Sequence, residues 1–304
     1  MNYFKPHGTP TVALINLNFN DIQSQISCFQ DFIFTIKFRQ LPSHLKLDAI
    51  CNLFPNITNV DIKYVAKNVK TNYEEELFEA KLSETSGIGK AIRNMQFITS
   101  LTLSNNQIDD DILRQLVKEM GNTCLASTLY LDLSHNQITT NGFRILINKV
   151  LGPGSVLRNL NVADNRIQAE GGRSLGRLLR SNQSLVNLDL RLNRLEDLGG
   201  KMLMDCLRDN NSLVALNISS NLLRSETAAA LAAMMKYSHQ NKMRSIDLSC
   251  NKFRKKDLLL LLPIFEKNSQ FTFIDLRMNK FVLDNETKLK IENICEKNEF
   301  EFVS

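Results

Sequence analysis

The chain repeats itself, and that repetition decides most of what it can become. Seven segments align on an asparagine and share five slots. These are an apolar residue five before the Asn, another three before, the Asn itself, an apolar residue two after and a leucine ten after. The first copy reads Leu101, Leu103, Asn106, Ile108 and Leu116, and the fourth reads Leu188, Leu190, Asn193, Leu195 and Leu203. The last reads Ile274, Leu276, Asn279, Phe281 and Leu289. The asparagines are Asn106, Asn136, Asn165, Asn193, Asn221, Asn251 and Asn279, at spacings of 30, 29, 28, 28, 30 and 28 residues. Every slot fits in every copy.

Each slot has a physical job. The apolar pair alternates at period two, so it is a short strand with both side chains turned inward. The Asn ends the strand, where its amide can satisfy backbone groups leaving the ladder. The dozen residues that follow read as an amphipathic helix, with the leucine ten after the Asn on its inner face. Gly142, Gly171–Gly172 and Gly199–Gly200 mark helix starts. SNQS (181–184) and DNNS (209–212) return the chain to the next strand. One such unit cannot bury its own apolar face, but stacked neighbours can. This is the long, helix-containing leucine-rich repeat. The fold class is α/β: a ribonuclease-inhibitor-like horseshoe with a parallel concave sheet and convex helices.

Residues 96–304 hold the seven regular repeats and a C-terminal capping strand, with Lys288–Lys297 as the last helix and Phe300-x-Phe302 as the strand. Residues 1–95 read as an atypical cap with one or two degenerate repeats. Ile57, Val60, Ile62 and Val65 mimic a repeat strand preceded by a helix over Pro42–Phe54. Val12, Ile15, Leu17, Asn20 and Ile22 fit the slots once more, with Gln23–Phe38 as the helix. TNYEEELF is a loop before a further helix ending near 95.

Composition narrows the function classes. The chain has 304 residues, 43% hydrophobic and 23% charged, with a formal charge of +5. That mild excess is no nucleic-acid footprint. No run of about 18 apolar residues suggests a membrane span. The start, MNYFKPHGTPTVAL, does not read as a secretory signal. The six cysteines show no CxxC and no metal-ligand spacing, and read as reduced, mostly buried thiols of an intracellular protein. The five N-x-S/T sequons, at Asn56, Asn182, Asn210, Asn217 and Asn285, read as ordinary polar loops and strands. SGIGK (86–90) ends like a phosphate loop, but Glu84 stands where the first glycine is required, so a helix-start turn is the reading. The four histidines are scattered. No catalytic constellation, cofactor site or metal site emerges.

The outward strand positions are more informative. Four before each Asn stand Thr102, Asp132, Asn161, Asp189, Asn217, Asp247 and Asp275, and Arg191 and Arg277 lie two before theirs. Asp132, Asp189, Arg191, Asp247, Asp275 and Arg277 make a candidate protein-binding face for a partly basic segment. The bland alternative is a solvated strand face, the default for polar residues. One after each Asn stand Gln107, Gln137, Arg166, Arg194, Leu222, Lys252 and Lys280. With Arg158, Arg173, Arg177, Arg180, Arg208 and Arg224 they make the middle of the array basic. That stripe suits an acidic partner, or is a soluble rim.

NLDLRLNRLEDLGGKML (187–203) resembles the signature repeat of the leucine-rich-repeat subunit of the nexin–dynein regulatory complex, the family also called dynein regulatory complex subunit 5 or T-complex-associated testis-expressed protein 1. FPNITNVDIKYVAKNVKTNYEEELF (54–78) resembles the family's lead-in to its array, and the similarity covers roughly residues 42–285. Residues 1–41 depart from the pattern. The resemblance implies a structural, non-enzymatic subunit of the axoneme of motile cilia and flagella, helping to link doublet microtubules and regulate dynein-driven motility. Its partners would be other subunits of that complex, with doublet microtubules or dynein arms beside them. Nucleic acid, membrane, cofactor and obligate homo-oligomerisation are not implied. Two alternatives use similar architecture. A Ran-type GTPase-activating protein would have an acidic tail, whereas this chain ends NEFEFVS. A ubiquitin-ligase substrate adaptor rests on LPSHLKLDAICNLFP (41–55), which faintly resembles the opening of an F-box.

Overall fold

The computed structural model describes residues 11–12, 35–38, 56–63, 82–95, 97–237, 242–268, 270–298 and 301–303. The chain divides into two compact units, Met1–Gln137 and Ile138–Ser304.

In the first unit the described strands are β1 (Thr11–Val12), β2 (Thr35–Phe38), β3 (Asn59–Ile62), β4 (Ser100–Thr102) and β5 (Tyr130–Asp132). All pair in parallel and in step: Val12 lies beside Ile36, Ile36 beside Val60, Val60 beside Leu101 and Leu101 beside Leu131. Helices α1 (Leu82–Asn94) and α2 (Asp110–Ser127) flank β4 in sequence and pack together. Ile92, Ile98, Leu101 and Leu113 fill the core between helix and sheet.

The second unit alternates helix and strand without a break. Its helices are α3 (Thr140–Val150), α4 (Ala169–Leu179), α5 (Glu196–Leu207), α6 (Ser225–Tyr237), α7 (Lys255–Lys267) and α8 (Asn285–Asn298). Its strands are β6 (Asn159–Asn161), β7 (Asn187–Asp189), β8 (Ala215–Asn217), β9 (Ser245–Asp247), β10 (Phe273–Asp275) and β11 (Glu301–Val303). The central residues Leu160, Leu188, Leu216, Ile246, Ile274 and Phe302 stand in one register row. A parallel sheet with a helix after each strand is what crossover connections of this length require. This is the α/β leucine-rich-repeat solenoid expected from the period.

Several local expectations need correcting. Thr35–Phe38 is strand β2 and not the end of a helix over Gln23–Phe38: Thr35 and Ile36 are buried in register with β3, and that pairing outranks local helical pattern. Residues 86–90 lie inside α1 rather than at its start. A Cβ on Gly89 would stand 2.6 Å from Cβ of Glu119, so this glycine permits close contact between α1 and α2. Leu289 is 58% exposed and not on an inner face. Helix α8 begins six residues after Asn279, whereas α7 begins four after Asn251. The later start turns Thr287, Ile291 and Ile294 inward instead. None of the described thiols is fully buried: Cys206 and Cys295 are half-buried and Cys250 is exposed. Positions 13–34, 39–55 and 64–81 lie outside the described residues, and with them Ile15 to Ile22, Val65, the helix expected over Pro42–Phe54 and the TNYEEELF loop.

The paired glycines sit within α4 and α5 and act by being small. A Cβ on Gly172 would stand 2.8 Å from the carbonyl oxygen of Gly199, and one on Gly199 would stand 2.7 Å from Cα of Ala169. The two helices thus approach backbone to backbone, and neither backbone can yield as a flexible side chain would. Gly199→Ala is therefore expected to destabilise the protein by about 2 kcal/mol, the usual cost of an overpacked core. Thermal denaturation followed by circular dichroism would show a lowered midpoint; an unchanged midpoint would mean the helices can separate freely.

Candidate functional site

Within each unit the column asparagines form a hydrogen-bonding device. From Asn136 onward each Oδ1 accepts from the coil before it. That of Asn136 takes the amides of Asn106 and Ile108, both at 3.0 Å, and that of Asn251 takes those of Asn221 and Leu223, also at 3.0 Å. Oδ1 of Asn165, Asn193, Asn221 and Asn279 accepts from Ile138, Ile167, Leu195 and Phe253. From Asn136 onward each Nδ2 donates to carbonyls of its own turn, and most also reach back one coil, as Asn193 does to Leu190 and Val162 and Asn221 does to Ser219 and Leu190. At the first copy, Nδ2 of Asn106 donates to the carbonyl of Ile62. An amide has both a donor and an acceptor end, so one side chain can serve the end of its own strand and the neighbouring turn together.

The residue before each column Asn is left-handed in all seven copies: Asn105, His135, Asp164, Leu192, Ser220, Cys250 and Met278 have φ between 50° and 59°. The turn needs that backbone to swing the Asn side chain inward.

The six face residues do not form one open charged surface. Asp132, Asp189, Asp247 and Asp275 each turn Oδ1 back onto the amide two residues on, at 2.9 to 3.0 Å. Asn161 and Asn217 do the same to Ala163 and Ser219, both at 3.0 Å. The Asp or Asn in this slot therefore closes the strand-end turn, a local role for which either residue serves. Asp132 and Asp275 are buried, 7% and 2% exposed. Arg191 pairs with Asp189 at 3.3 Å, and Arg277 holds Asp275 through Nη2 at 2.6 Å and Nε at 3.1 Å. The arginines thus neutralise their own turn, and Asp247 also accepts from Nδ2 of Asn217 at 3.0 Å. The charge on this face is largely spent within it.

Two devices went unread in the sequence. Asn182 and Asn210, in SNQS and DNNS, are buried. Oδ1 of Asn182 accepts the amides of Ser184 and Leu185, and that of Asn210 accepts those of Ser212 and Leu213. Nδ2 of Asn210 reaches across to the carbonyls of Leu179 and Asn182. Their shared N-x-S pattern at a spacing of 28 residues was the available signal.

The second device is Asp197, in the first turn of α5. Its carboxylate accepts from the amides of Arg224 (2.8 Å), Glu226 (3.1 Å) and Thr227 (2.9 Å) and from Oγ1 of Thr227 (2.7 Å). It therefore caps the N-terminus of α6, one coil away. Gly200 makes the room, since a Cβ there would stand 2.5 Å from Oγ1 of Thr227. Partial burial pushes the Asp197 carboxyl up, but the bonds from Thr227, Glu226 and Arg224 outweigh it and hold the group below the usual carboxylate range.

Among the described residues, no group of three or more His, Cys, Asp and Glu could hold a metal ion, and no helix is long and apolar enough to cross a membrane.

This arrangement is that of a leucine-rich-repeat solenoid. A leucine-rich-repeat family model matches residues 94–117, 129–143, 155–176 and 181–204. Over 84 residues the chain is 38% identical to dynein regulatory complex subunit 5 of Chlamydomonas reinhardtii. That relative bears out the resemblance to the family. The match spans 27% of this chain and only 22% of that protein. Among solved structures, an internalin from Listeria monocytogenes aligns over 92% of this chain and 63% of its own, with 17% identity and a TM-score of 0.49. The actin-binding site 2 domain of leiomodin-1 aligns over 52% of this chain and 88% of its own, with 13% identity and a TM-score of 0.42.

Removing the side chain of Asn221, which is fully buried, leaves the Leu195 amide without its acceptor and takes one donor each from the carbonyls of Leu190 and Ser219, which keep Nδ2 of Asn193 and the Leu192 amide. Asn221→Ala should cost about 2 kcal/mol, since a buried group stranded costs about 1–3 kcal/mol. The same change at half-buried Asn279 should cost less, and equal losses in urea denaturation would count against the column as the organising element. Asp197→Ala should cost about 1 kcal/mol at pH 7, typical of a lost cap. Because the folded pKa is lowered, the native carboxylate contributes fully above the ordinary carboxylate pKa of about 3.9 and fades as pH falls below it. The gap between wild type and variant should narrow there; a gap independent of pH would exclude a charged cap.

Proposed function

We propose that the chain is a structural, protein-binding subunit of a dynein regulatory complex. In the axoneme of cilia or flagella it would help link doublet microtubules and regulate dynein-driven motility. The observation that carries this reading is the 38% identity to a curated subunit of that complex, in a chain built of the same kind of repeat. The local chemistry supports it. The string resembling the family's signature contains Asp197, Gly199 and Gly200, the residues that lock one coil to its neighbours. A stretch that locks coils in this way makes a rigid scaffold, which is what a linking subunit must supply. On this reading residues 1–95 cap the array of 96–304, and the surfaces of the array contact other subunits of the complex. Asp132, Asp189, Arg191, Asp247, Asp275 and Arg277 would contribute shape and hydrogen bonding to such contacts more than free charge.

A tagged full chain expressed in a ciliated cell should fractionate with axonemes after detergent extraction and co-purify with dynein regulatory complex subunits. A wholly detergent-soluble protein lacking those companions would refute the assignment.

A further inference from the structure

Some basic residues of the second unit pair: Arg191 with Asp189, Arg277 with Asp275, Arg180 with Asp209 and Lys201 with Glu226. Others, Arg177, Lys236, Lys256 and Lys267 on helices among them, make no ion pair among the described residues. The same holds for every basic residue on the turn between each column asparagine and the helix that follows it. Arg166, Arg194, Arg224, Lys252, Arg254 and Lys280 make no ion pair among the described residues. Each is exposed except Lys252, which is half-buried.

These residues stand on a rigid backbone. The amide of Arg166 bonds the carbonyl of Ile138, that of Arg194 bonds Ile167, that of Lys252 bonds Leu223 and that of Lys280 bonds Phe253, at 2.8 to 2.9 Å. Bridges also join Gln168 to Arg194 and Arg254 to Lys280. The ladder continues past the strands as a ridge, with one coil per step of about 4.8 Å. Between its cations stand exposed aliphatic side chains: Leu192 (48%), Leu222 (39%), Met278 (79%) and Val282 (89%). Leu192, Leu222 and Met278 are also left-handed, at φ of 54°, 64° and 57°. At the corresponding places elsewhere the chain uses Asn105, Gln107, Asp164 and Ser220. A large aliphatic residue there is unfavourable twice, in backbone and in solvation. The chain itself leaves 39% to 79% of these three residues uncovered, and an apolar contact with a partner would cover it.

We propose that this ridge, from Arg166 to Val282, is a docking surface for an extended acidic protein segment whose carboxylates alternate with aliphatic side chains. Unspent positive charge asks for carboxylates, and exposed leucine and methionine between the cations ask for apolar residues at matching intervals. Nucleic acid fits less well, because no exposed aromatic ring on the ridge offers a base a stacking platform. The ridge is distinct from the strand face, and the inference holds whichever complex the protein serves.

The test uses the purified full chain and fluorescence anisotropy with three probes: a peptide alternating Glu and Leu, a Glu-only peptide of equal length and a short DNA duplex. The alternating peptide should bind about tenfold or more tighter than the Glu-only peptide, and less tightly as salt rises. Arg194→Glu/Arg224→Glu/Lys252→Glu should abolish that binding, while Arg173→Glu/Arg177→Glu on α4 should leave it unchanged. Leu222→Asn/Met278→Asn should bring the alternating peptide's affinity down to that of the Glu-only peptide. Because asparagine tolerates the left-handed backbone, this variant should melt no lower than wild type. The proposal is overturned by equal affinity for the two peptides, by tighter binding of DNA, by no loss in the Asn variant or by equal loss in the α4 variant. A peptide affinity too weak to measure overturns it as well.

Discussion

An amide side chain placed where a strand ends is the interaction on which the rest depends. A strand of three residues exhausts its ladder quickly, and the chain must then turn away with its backbone polar groups still unsatisfied. In each coil the column asparagine takes up that deficit and reaches its neighbour as well. Asn221 illustrates the economy: it serves Ser219 in its own turn and Leu190 and Leu195 in the coil before, while its own amide is held by Asn251. The strands can then be short, the turns alike at the residue before each Asn, and the repeats of each unit stacked in register. The left-handed residue before each Asn follows from the same demand, because only that backbone swings the side chain inward.

On the helix side the devices vary from coil to coil. Glycines let α4 and α5 touch through their backbones, and Gly200 admits Thr227 of the next coil. Asp197 then supplies to α6 a cap that its own N-terminus lacks. The back turns have their own ladder in Asn182 and Asn210. Each device satisfies polar groups across a coil boundary, so neighbours support one another where a single coil would not be stable.

Charge is distributed by the same logic. A carboxylate within reach of a turn amide or of an arginine two residues on is committed to the fold, as Asp275 is. The side chains of the post-strand cations make no ion pair among the described residues, and the carboxylates beside Arg224 and Arg254, those of Asp197 and Asp257, are taken up by backbone amides. Surface charge on this protein is therefore informative only after its internal partners are known. The outward stripe of Asp and Arg looked from spacing like the interactive face, and it is the more self-satisfied of the two.

The sequence by itself determined the repeat, the strand positions, the column and the α/β class, because burial at fixed period leaves its mark residue by residue. It also carried the family resemblance, since short strings such as LRLNRLEDLGG survive as strings. Tertiary structure alone decided which polar residues are free, which glycines are contacts and where the pattern slips. Leu289 fits its slot by counting yet faces solvent, because a two-residue delay in α8 rotates the helix. Thr35–Phe38 is a strand because β3 is there to pair with it. Asp197 caps a helix it does not belong to. In the last two cases the deciding partner lies a coil away, at a distance in sequence where local pattern holds no information about contact.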